Sequence, residues 1–237
     1  MTQAIDSRGP MAGTIDPRVT RLGAAAGLAA IVLTAAGLAL LAAADATFHS
    51  TDSAVASYYS GADVTRTVAG GFLQVLGLLL LLPFVAMVTS RVRGPGVAGV
   101  LLAPTARAAA TIYVTISLAP GTAAGAAALW HAHARTGDVA IITVLNDLRS
   151  LSYFIALAPF AVFLVTVGMA ANATGRLPRW AGWSAIVLGG VLAAGVPAAG
   201  TGLTDIVAVL GLLWIPVVAV HLLRSPDPTE APSGAIA

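Results

Sequence analysis

The sequence contains no cysteine and no lysine, and charged residues of any kind are few. The absence of cysteine excludes disulfides, thiolate chemistry and cysteine-ligated metal or iron–sulfur sites. Charged residues make up 9% of the chain, whereas a soluble domain carries about a quarter. Because so little charge remains to cover a water-facing surface, we expect lipid to be the main solvent of the folded chain.

Aromatic residues are also scarce, at 6%, while 58% of residues are hydrophobic and the mean hydropathy is +0.90. Abundant alanine and glycine favour helices that pack closely on small residues. All 12 basic residues are arginine, which together with the alanine and glycine content is typical of a high-GC bacterial gene. We therefore predict an all-α, polytopic transmembrane helical bundle in the bacterial cytoplasmic membrane.

Six apolar segments are long enough to cross a hydrocarbon layer of about 30 Å. The predicted spans are Leu22–Ala44, Val68–Ser90, Arg107–Trp130, Leu151–Asn172, Trp183–Ala199 and Ile206–Leu223. They divide the chain into a flexible tail at 1–20, a bundle at 21–224 and a second flexible tail at 225–237. Asp16-Pro17 already predicts the start of the first helix, with an aspartate cap before a proline.

Two boundaries remain open at this stage. The apolar stretch that leads into the third span begins at Val97, and we place its first ten residues at the cytoplasmic interface. A helix from Val139 to Asn172 would be too long for one perpendicular span at about 1.5 Å per residue. Residues 139–150 are therefore expected to lie on the outer face or to protrude from it, as a separate helix or as part of the fourth span.

Two features between the first and second spans suggest further processing or structure. Ala44-Asp45-Ala46 matches a signal-peptidase site, but the apolar run before it is longer than the usual ~7–15 residues. We therefore expect this segment to be retained as a span. Ser50-Thr51-Asp52 can cap a short helix through Tyr58-Tyr59, with Val55 and the tyrosines on the membrane side.

A ten-residue stretch from Thr174 to Trp183 predicts a tight turn between the fourth and fifth spans. Gly175 is the expected left-handed residue that ends one helix, and Pro178 the expected first residue of the next. Arginines hold such a turn in the cytoplasm, and tryptophans set its depth at the interface. The predicted topology anchors of the chain are Arg91, Arg93, Arg176, Arg179, Trp180 and Trp183.

The distribution of arginine orients the predicted bundle. With both termini in the cytoplasm, nine arginines lie inside and only Arg66, Arg135 and Arg149 lie outside. Basic residues concentrate on the cytoplasmic side of membrane proteins. This bias predicts cytoplasmic N and C termini. Because the arginines follow the span ends, the high pI indicates topology and not a nucleic-acid partner.

The run Leu148-Arg149, the turn Gly175-Arg176-Leu177-Pro178-Arg179-Trp180-Ala181-Gly182-Trp183 and the terminal Leu-Leu-Arg resemble a bacterial group of six-helix membrane proteins. That group is a domain-of-unknown-function family. The resemblance extends over about residues 20–224 in topology, and in residues only from the fourth to the sixth span. It implies the six-span architecture and no activity, cofactor or catalytic residue.

The residues with metal-ligand chemistry lie in the predicted outer segments. Histidines and carboxylates together can bind a metal ion. However, His131 and His133 are two residues apart and do not face each other on a helix. The zinc-protease pattern His-Glu-x-x-His is absent, so solvated loop residues are the favoured interpretation. The metal candidates that remain are His49, His131, His133 and Asp138.

Ionisable residues inside a membrane mark functional sites by default, and this chain has very few of them. We predict an outer polar cluster of Asp147, Arg149 and Asp205, which could pair across helices. Arg107 is expected to extend towards the cytoplasmic headgroups. The hydroxyl groups of the third span are expected to bond between helices or to their own helix carbonyls.

Close helix packing is predicted where small residues lie one turn apart. Gly23–Gly27 and Gly121–Gly125 are both Gly-x-x-x-Gly, and Gly189, Gly190 and Gly195 extend the pattern to the fifth span. Packing within the bundle is favoured over homodimer formation. A second copy and another membrane protein nevertheless stay open as partners beside the lipid bilayer.

Three function classes remain. No nucleophile elbow, phosphate-binding loop or metalloprotease motif is present, so no catalytic residue and no cofactor are assigned. The favoured class is a non-enzymatic accessory or partner-binding membrane subunit. The alternatives are a small transporter, and a membrane enzyme or a metal- or haem-binding protein that uses the outer histidines and aspartates.

Overall fold

A computed structural model describes residues 16–41, 50–134, 137–195 and 203–224. Within these ranges the chain is all-helical and contains no strand. Five helical segments are long and apolar enough to cross a membrane: Pro17–Leu41, Val64–Arg91, Ala98–Ala134, Val139–Thr174 and Asp205–Arg224. The chain therefore has the architecture of a multi-pass membrane protein.

The first three helices are α1 (Pro17–Leu41), α2 (Asp52–Gly61) and α3 (Val64–Arg91). Asp16 caps α1 as predicted, because its Oδ1 accepts a hydrogen bond from the backbone N–H of Arg18 at 2.8 Å. Residues 17–20, which we predicted to be part of the N-terminal tail, are thus the first turn of α1, and Thr20 is buried. The predicted signal-peptidase site and His49 lie outside the described residues.

The next long rod, Ala98–Ala134, is helical throughout but contains two π segments. It consists of a π segment Ala98–Leu102, α4 (Ala103–Ile116), a second π segment Ser117–Thr122 and α5 (Ala123–Ala134). The helix therefore begins well before the predicted start at Arg107. Pro120 lies in the second π segment, where the wider turn receives its ring without breaking the rod.

The longest element is α6 (Val139–Thr174), a continuous helix of 36 residues. Residues 139–150 are its first turns and not a separate helix, which closes one open boundary. It is followed by α7 (Arg179–Gly195) and α8 (Leu203–Arg224). The 17 described residues of α7 rise about 26 Å, short of the ~30 Å hydrocarbon thickness. The end of the predicted fifth span, residues 196–199, lies outside the described residues.

The long helices pack as a closed ring in the order α1, α3, α4, α6, α7, α8 and back to α1. Neighbours in sequence run in opposite directions. Gly23 of α1, for example, contacts Met87 near the end of α3, while Gly37 near the end of α1 contacts Gly70 near the start of α3. The first and last described helices therefore lie side by side.

Glycines bring backbones together inside this ring, at the predicted Gly189 and at Gly37, which the sequence analysis did not single out. A methyl group at Gly37 would lie 2.6 Å from the carbonyl oxygen of Gly70, and one at Gly189 would lie 2.8 Å from that of Ala161. Gly190 differs, since a methyl group there would meet no atom of the described chain within 4 Å. The predicted packing role of Gly190 is therefore wrong.

Aromatic side chains fill the middle of the ring. Tyr113 stacks on Phe160 with ring centroids 4.9 Å apart, and Phe163 contacts both Phe160 at 6.2 Å and Trp214 at 6.3 Å. Phe84 from α3 is fully buried in the same core. We call the linked rings Tyr113, Phe160, Phe163 and Trp214 the aromatic column. It joins α4, α6 and α8 across the bundle.

The outer surface of the ring is apolar as well. Large hydrophobic side chains point away from the core on every long helix, for example Val32, Phe72, Ile112, Ile155 and Leu213. Each is more than half exposed or close to it, which would be costly in water. In a bilayer the same side chains meet acyl chains, so this surface matches a lipid environment.

Candidate functional site

The two ends of the bundle differ sharply in charge. We call them the arginine end, which holds the turns after α3 and α6, and the α2 end, against which α2 packs. Among the described residues, the arginine end carries Arg18, Arg21, Arg91, Arg93, Arg107, Arg176, Arg179 and Arg224 with Asp16. The α2 end carries Asp52, Asp63, Asp138, Asp147 and Asp205 with Arg66 and Arg149.

The first residue of the turn after α6, Gly175, has the predicted left-handed conformation. Gly175 has φ +63° and its N–H donates to the carbonyl of Ala171, which ends α6 in a left-handed cap. The next helix begins one residue later than predicted, at Arg179. Pro178 precedes it and its carbonyl accepts the first helical bonds, from Ala181 at 2.9 Å and Gly182 at 3.3 Å.

Arg176 ties this turn to the one after α3. Its Nη1 donates to the carbonyl oxygens of Arg91 at 3.3 Å and Arg93 at 2.8 Å. A groove of about 370 Å³ runs between the two turns, lined by Gly94, Pro95, Val97, Ala98, Ala173, Thr174 and Arg176. The arginine therefore acts as a structural link besides contributing positive charge.

The tryptophans of α7 and α8 have different environments. Trp183 is 61% exposed and points away from the bundle, while Trp180 is about half exposed and meets His221 edge-to-face at 5.8 Å. Trp214, by contrast, is buried, and its indole Nε1–H donates to the carbonyl of Ala181 at 3.0 Å. Two tryptophans thus face the surroundings and one joins α8 to α7.

Polar side chains converge at the α2 end between α2, α5 and α6. The hydroxyl of Tyr59 donates to Asn146 Oδ1 at 3.3 Å, and Arg149 Nη2 donates to the same oxygen at 3.5 Å. His133 Nε2 lies 2.8 Å from the backbone carbonyl of Tyr59. Because a carbonyl only accepts, the ring nitrogen is the donor. These bonds fasten α2 to both α5 and α6.

A small apolar core lies beside these polar groups, separate from the core of the ring. It consists of Val55 and Tyr59 from α2, Ala128 and Leu129 from α5, and Ile142 from α6. Thr51 caps α2 as predicted, since its Oγ1 accepts from the N–H of Ala54 at 3.3 Å. Val55 and Tyr59, which we predicted to face the membrane, are instead buried against α5 and α6.

The metal candidates have structural roles where they are described. Asp138 caps α6, with Oδ1 accepting from the N–H of Ala140 at 3.0 Å, and His133 binds α2. Within the described ranges, no three histidine or carboxylate side chains come together in a group that could hold a metal ion. His49 lies outside those ranges, so the proposed set is not complete in the structure.

Two members of the predicted cluster of Asp147, Arg149 and Asp205 form separate hydrogen bonds to residues outside it. Asp205 at the start of α8 accepts from the hydroxyl of Tyr153 at 3.0 Å, which ties α8 to α6. Arg149 contacts Asn146, and its side chain lies across Gly125 of α5. Asp147 precedes Arg149 by two residues on α6 and is half-buried.

The hydroxyl groups of the third predicted span bond within their own helix. Thr111 donates to Arg107 O at 3.0 Å, Thr115 to Thr111 O at 2.9 Å and Ser117 to Tyr113 O at 2.8 Å. This is the intrahelical alternative of the two we predicted. Thr111 and Thr115 are also exposed, so their hydroxyl groups lie on the surface of the bundle and not in its core.

Two residues of the α2 end, Tyr59 and Asn146, were missed as site residues by the sequence analysis. They are 87 positions apart, and no spacing rule connects positions that far apart in the chain. One signal was present: the chain has only two asparagines, and Asn146 lies in a long, mostly apolar segment. A polar amide in such a helix is expected to bond to another helix.

Comparison of the chain with family models, curated proteins and solved structures gives no match.

Proposed function

We propose that this protein is a non-enzymatic, six-span subunit of the bacterial cytoplasmic membrane that binds another membrane protein or a second copy of itself. Both termini lie in the cytoplasm, and α7 together with the residues after Gly195 forms the fifth span. The resemblance to the six-helix family of unknown function belongs to the same proposal.

The orientation is supported by the charge difference between the two ends. Among the described residues, eight arginines and one aspartate gather at the arginine end, against two arginines and five aspartates at the α2 end. The side of a membrane rich in arginine is the cytoplasmic side. Pro17 and Arg224, the outermost described residues of α1 and α8, lie at that same end.

The choice of a partner-binding subunit over a transporter rests on one observation, the aromatic column. Tyr113, Phe160, Phe163 and Trp214 occupy the middle of the bundle, where a transporter would place its substrate site. The polar side chains that cross between helices bind backbone carbonyls or one another, as Arg176 and Trp214 do. Such an interior favours a solid scaffold whose function lies on its surface.

Native mass spectrometry of the protein, released from its own membrane in mild detergent, tests the proposal. We expect a defined complex with a second copy or with another membrane protein at fixed stoichiometry. The same purified protein in sealed vesicles should leave solute and proton gradients intact. A strictly monomeric protein that collapses a gradient would instead establish the transporter alternative.

Reporter fusions test the orientation independently. Reporters active only in the cytoplasm should work at both termini and after Gly175, and reporters active only outside should work at Ala62. Replacing Arg176 and Arg179 by glutamine while placing two arginines in the 201–204 link should disturb this pattern. Unchanged orientation in that variant would contradict the assignment.

A further inference from the structure

The amide of Asn146 has only one possible orientation. The residue is completely buried on α6 beneath α2, and one end of its amide lies near Arg149 Nη2. A guanidinium has donors and no acceptor, so the oxygen of Asn146 must face Arg149. The NH₂ group therefore points the opposite way, into the interior of the α2 end.

That NH₂ group finds no hydrogen-bond partner among the described residues. The same is true of other buried atoms, among them Thr143 Oγ1 and His131 Nδ1 at the same end of the bundle. Leaving a buried polar group without a partner costs free energy, so native structures satisfy nearly all of them with protein, water or ligand. Three such atoms at one end of a bundle call for an occupant.

The three atoms belong to one place in the fold. Thr143 and Asn146 are three residues apart on α6 and so share a face. The contact of Gly125 with Arg149 sets the antiparallel register of α5 on α6. His131 is six residues after Gly125 on α5, and Thr143 is six residues before Arg149 on α6. The same register therefore places His131 opposite Thr143.

Helix α2 encloses this place. Val55 and Tyr59 are almost fully buried against α5 and α6, and the bonds from Tyr59 to Asn146 and from His133 to Tyr59 hold the helix down. Apart from Arg149 and the Tyr59 hydroxyl, which lie on the oxygen side of Asn146, the side chains packed here are apolar, Ile142 among them. Burial among apolar groups penalises a net charge far more than it penalises a neutral polar molecule.

We propose that Thr143, Asn146 and His131 form an enclosed binding site for one small neutral molecule that offers a hydrogen-bond-accepting oxygen to the Asn146 amide. Water is the smallest such molecule, and it is bound where two to four polar partners converge. A small alcohol or amide offers the same oxygen. Helix α2 is the cover of the site, and the molecule enters or leaves when α2 lifts.

The composition of the chain makes this site unusually easy to observe. Asn146 and Asn172 are its only asparagines, so ¹⁵N-asparagine labelling of the full-length protein gives two side-chain amide signals. Replacement of Asn172 by alanine assigns them. We expect the Asn146 NH₂ protons to show a through-space cross-peak to a long-lived water or to the resonances of a bound solute.

The same labelled protein distinguishes a bound water from a bound organic solute. A cross-peak at the water frequency, with no organic molecule released on denaturation, identifies water. A cross-peak elsewhere, together with a released compound detected by mass spectrometry, identifies a solute. If the Asn146 amide shows neither contact, the proposal is wrong, whatever any variant does.

Two substitutions provide the matched pair. Thr143→Val keeps the side-chain size and the Asn146 amide but removes one of the three polar groups, so the cross-peak should weaken and its partner should exchange faster. Tyr59→Phe removes the bond to Asn146 Oδ1 but leaves the NH₂ group, so the signal should persist and exchange faster as α2 loosens. An unchanged cross-peak in Thr143→Val, or slower exchange in Tyr59→Phe, would overturn the site as described.

Discussion

The guanidinium of Arg107 on α4 donates from both Nε and Nη2 to the hydroxyl of Thr89 on α3, each at 3.2 Å. Nη2 also reaches Ser90 Oγ at 3.1 Å and the carbonyl of Ala86 at 3.3 Å. All three partners lie in the last turns of α3, where the helix dipole favours a cation. A single side chain thus closes the hairpin of α3 and α4.

Arg107→Met should lower the free energy of unfolding by about 1 kcal/mol, since charge-assisted bonds of about 1.5–3 kcal/mol are weakened by the exposure of the arginine. The free energy of unfolding of Arg107→Lys should lie between those of the wild-type protein and of Arg107→Met. Denaturation in detergent by sodium dodecyl sulfate measures this. Thr111→Val is the control on the same helix, because its hydroxyl bonds only to the Arg107 carbonyl in its own helix, and its change should stay within about 0.5 kcal/mol.

Gly37→Ala should destabilise the bundle by about 1–3 kcal/mol, the usual range for overpacking. The added methyl group would lie 2.6 Å from the Gly70 carbonyl, and a backbone cannot rotate away as a side chain can. Gly190→Ala is the matched control. It meets open space and should be neutral or gain up to about 1 kcal/mol of helix propensity. Equal losses in both variants would show that α1 and α3 do not approach as described.

Gly175→Ala should cost about 1–2 kcal/mol, because an L-residue with a side chain strains at φ +63°. Gly175→Asn should cost less, since asparagine enters the left-handed region more readily. Thermal unfolding of both variants in the same detergent provides the comparison. The reverse order, with alanine the milder change, would be inconsistent with a left-handed cap.

Variants that retain a single tryptophan should separate lipid-facing from buried positions by fluorescence. With brominated lipids, Trp183 should be strongly quenched because most of its ring is exposed, while Trp214 should be quenched little because it is 4% exposed. Similar quenching at both positions would contradict the outward direction of Trp183. The measurement uses reconstituted protein, with plain lipids as the reference.

The local features of this fold were predictable because their causes lie within a few residues. Asp16, Thr51 and Gly175 act at helix ends through their own side chains or backbone, so their positions in the sequence suffice. Arg107 was predicted only to extend towards headgroups, whereas its partners lie on another helix. The bond of Tyr59 to Asn146 likewise depends on how α2 docks, and no local pattern encodes that.

The winding of the Ala98–Ala134 rod was the other feature that the sequence did not reveal. An apolar segment has the same hydropathy whether each backbone N–H bonds four or five residues back along the chain, so hydropathy does not predict π segments. Pro120 marks one of them, but proline occurs in ordinary bent helices as well. The aromatic column was hidden for a related reason, since its four rings come from three helices.

The contact between α1 and α8 has a kinetic consequence. A ring closes only when its last member arrives, and α8 carries Trp214 and Ile215, both buried in the finished core. During synthesis, at about 5–20 residues per second, α1 to α7 reach the membrane first and wait with Phe163 uncovered. The last described helix is therefore the one that completes the ring, and a ribosome stalled before residue 203 would leave the ring open between α7 and α1 in the membrane.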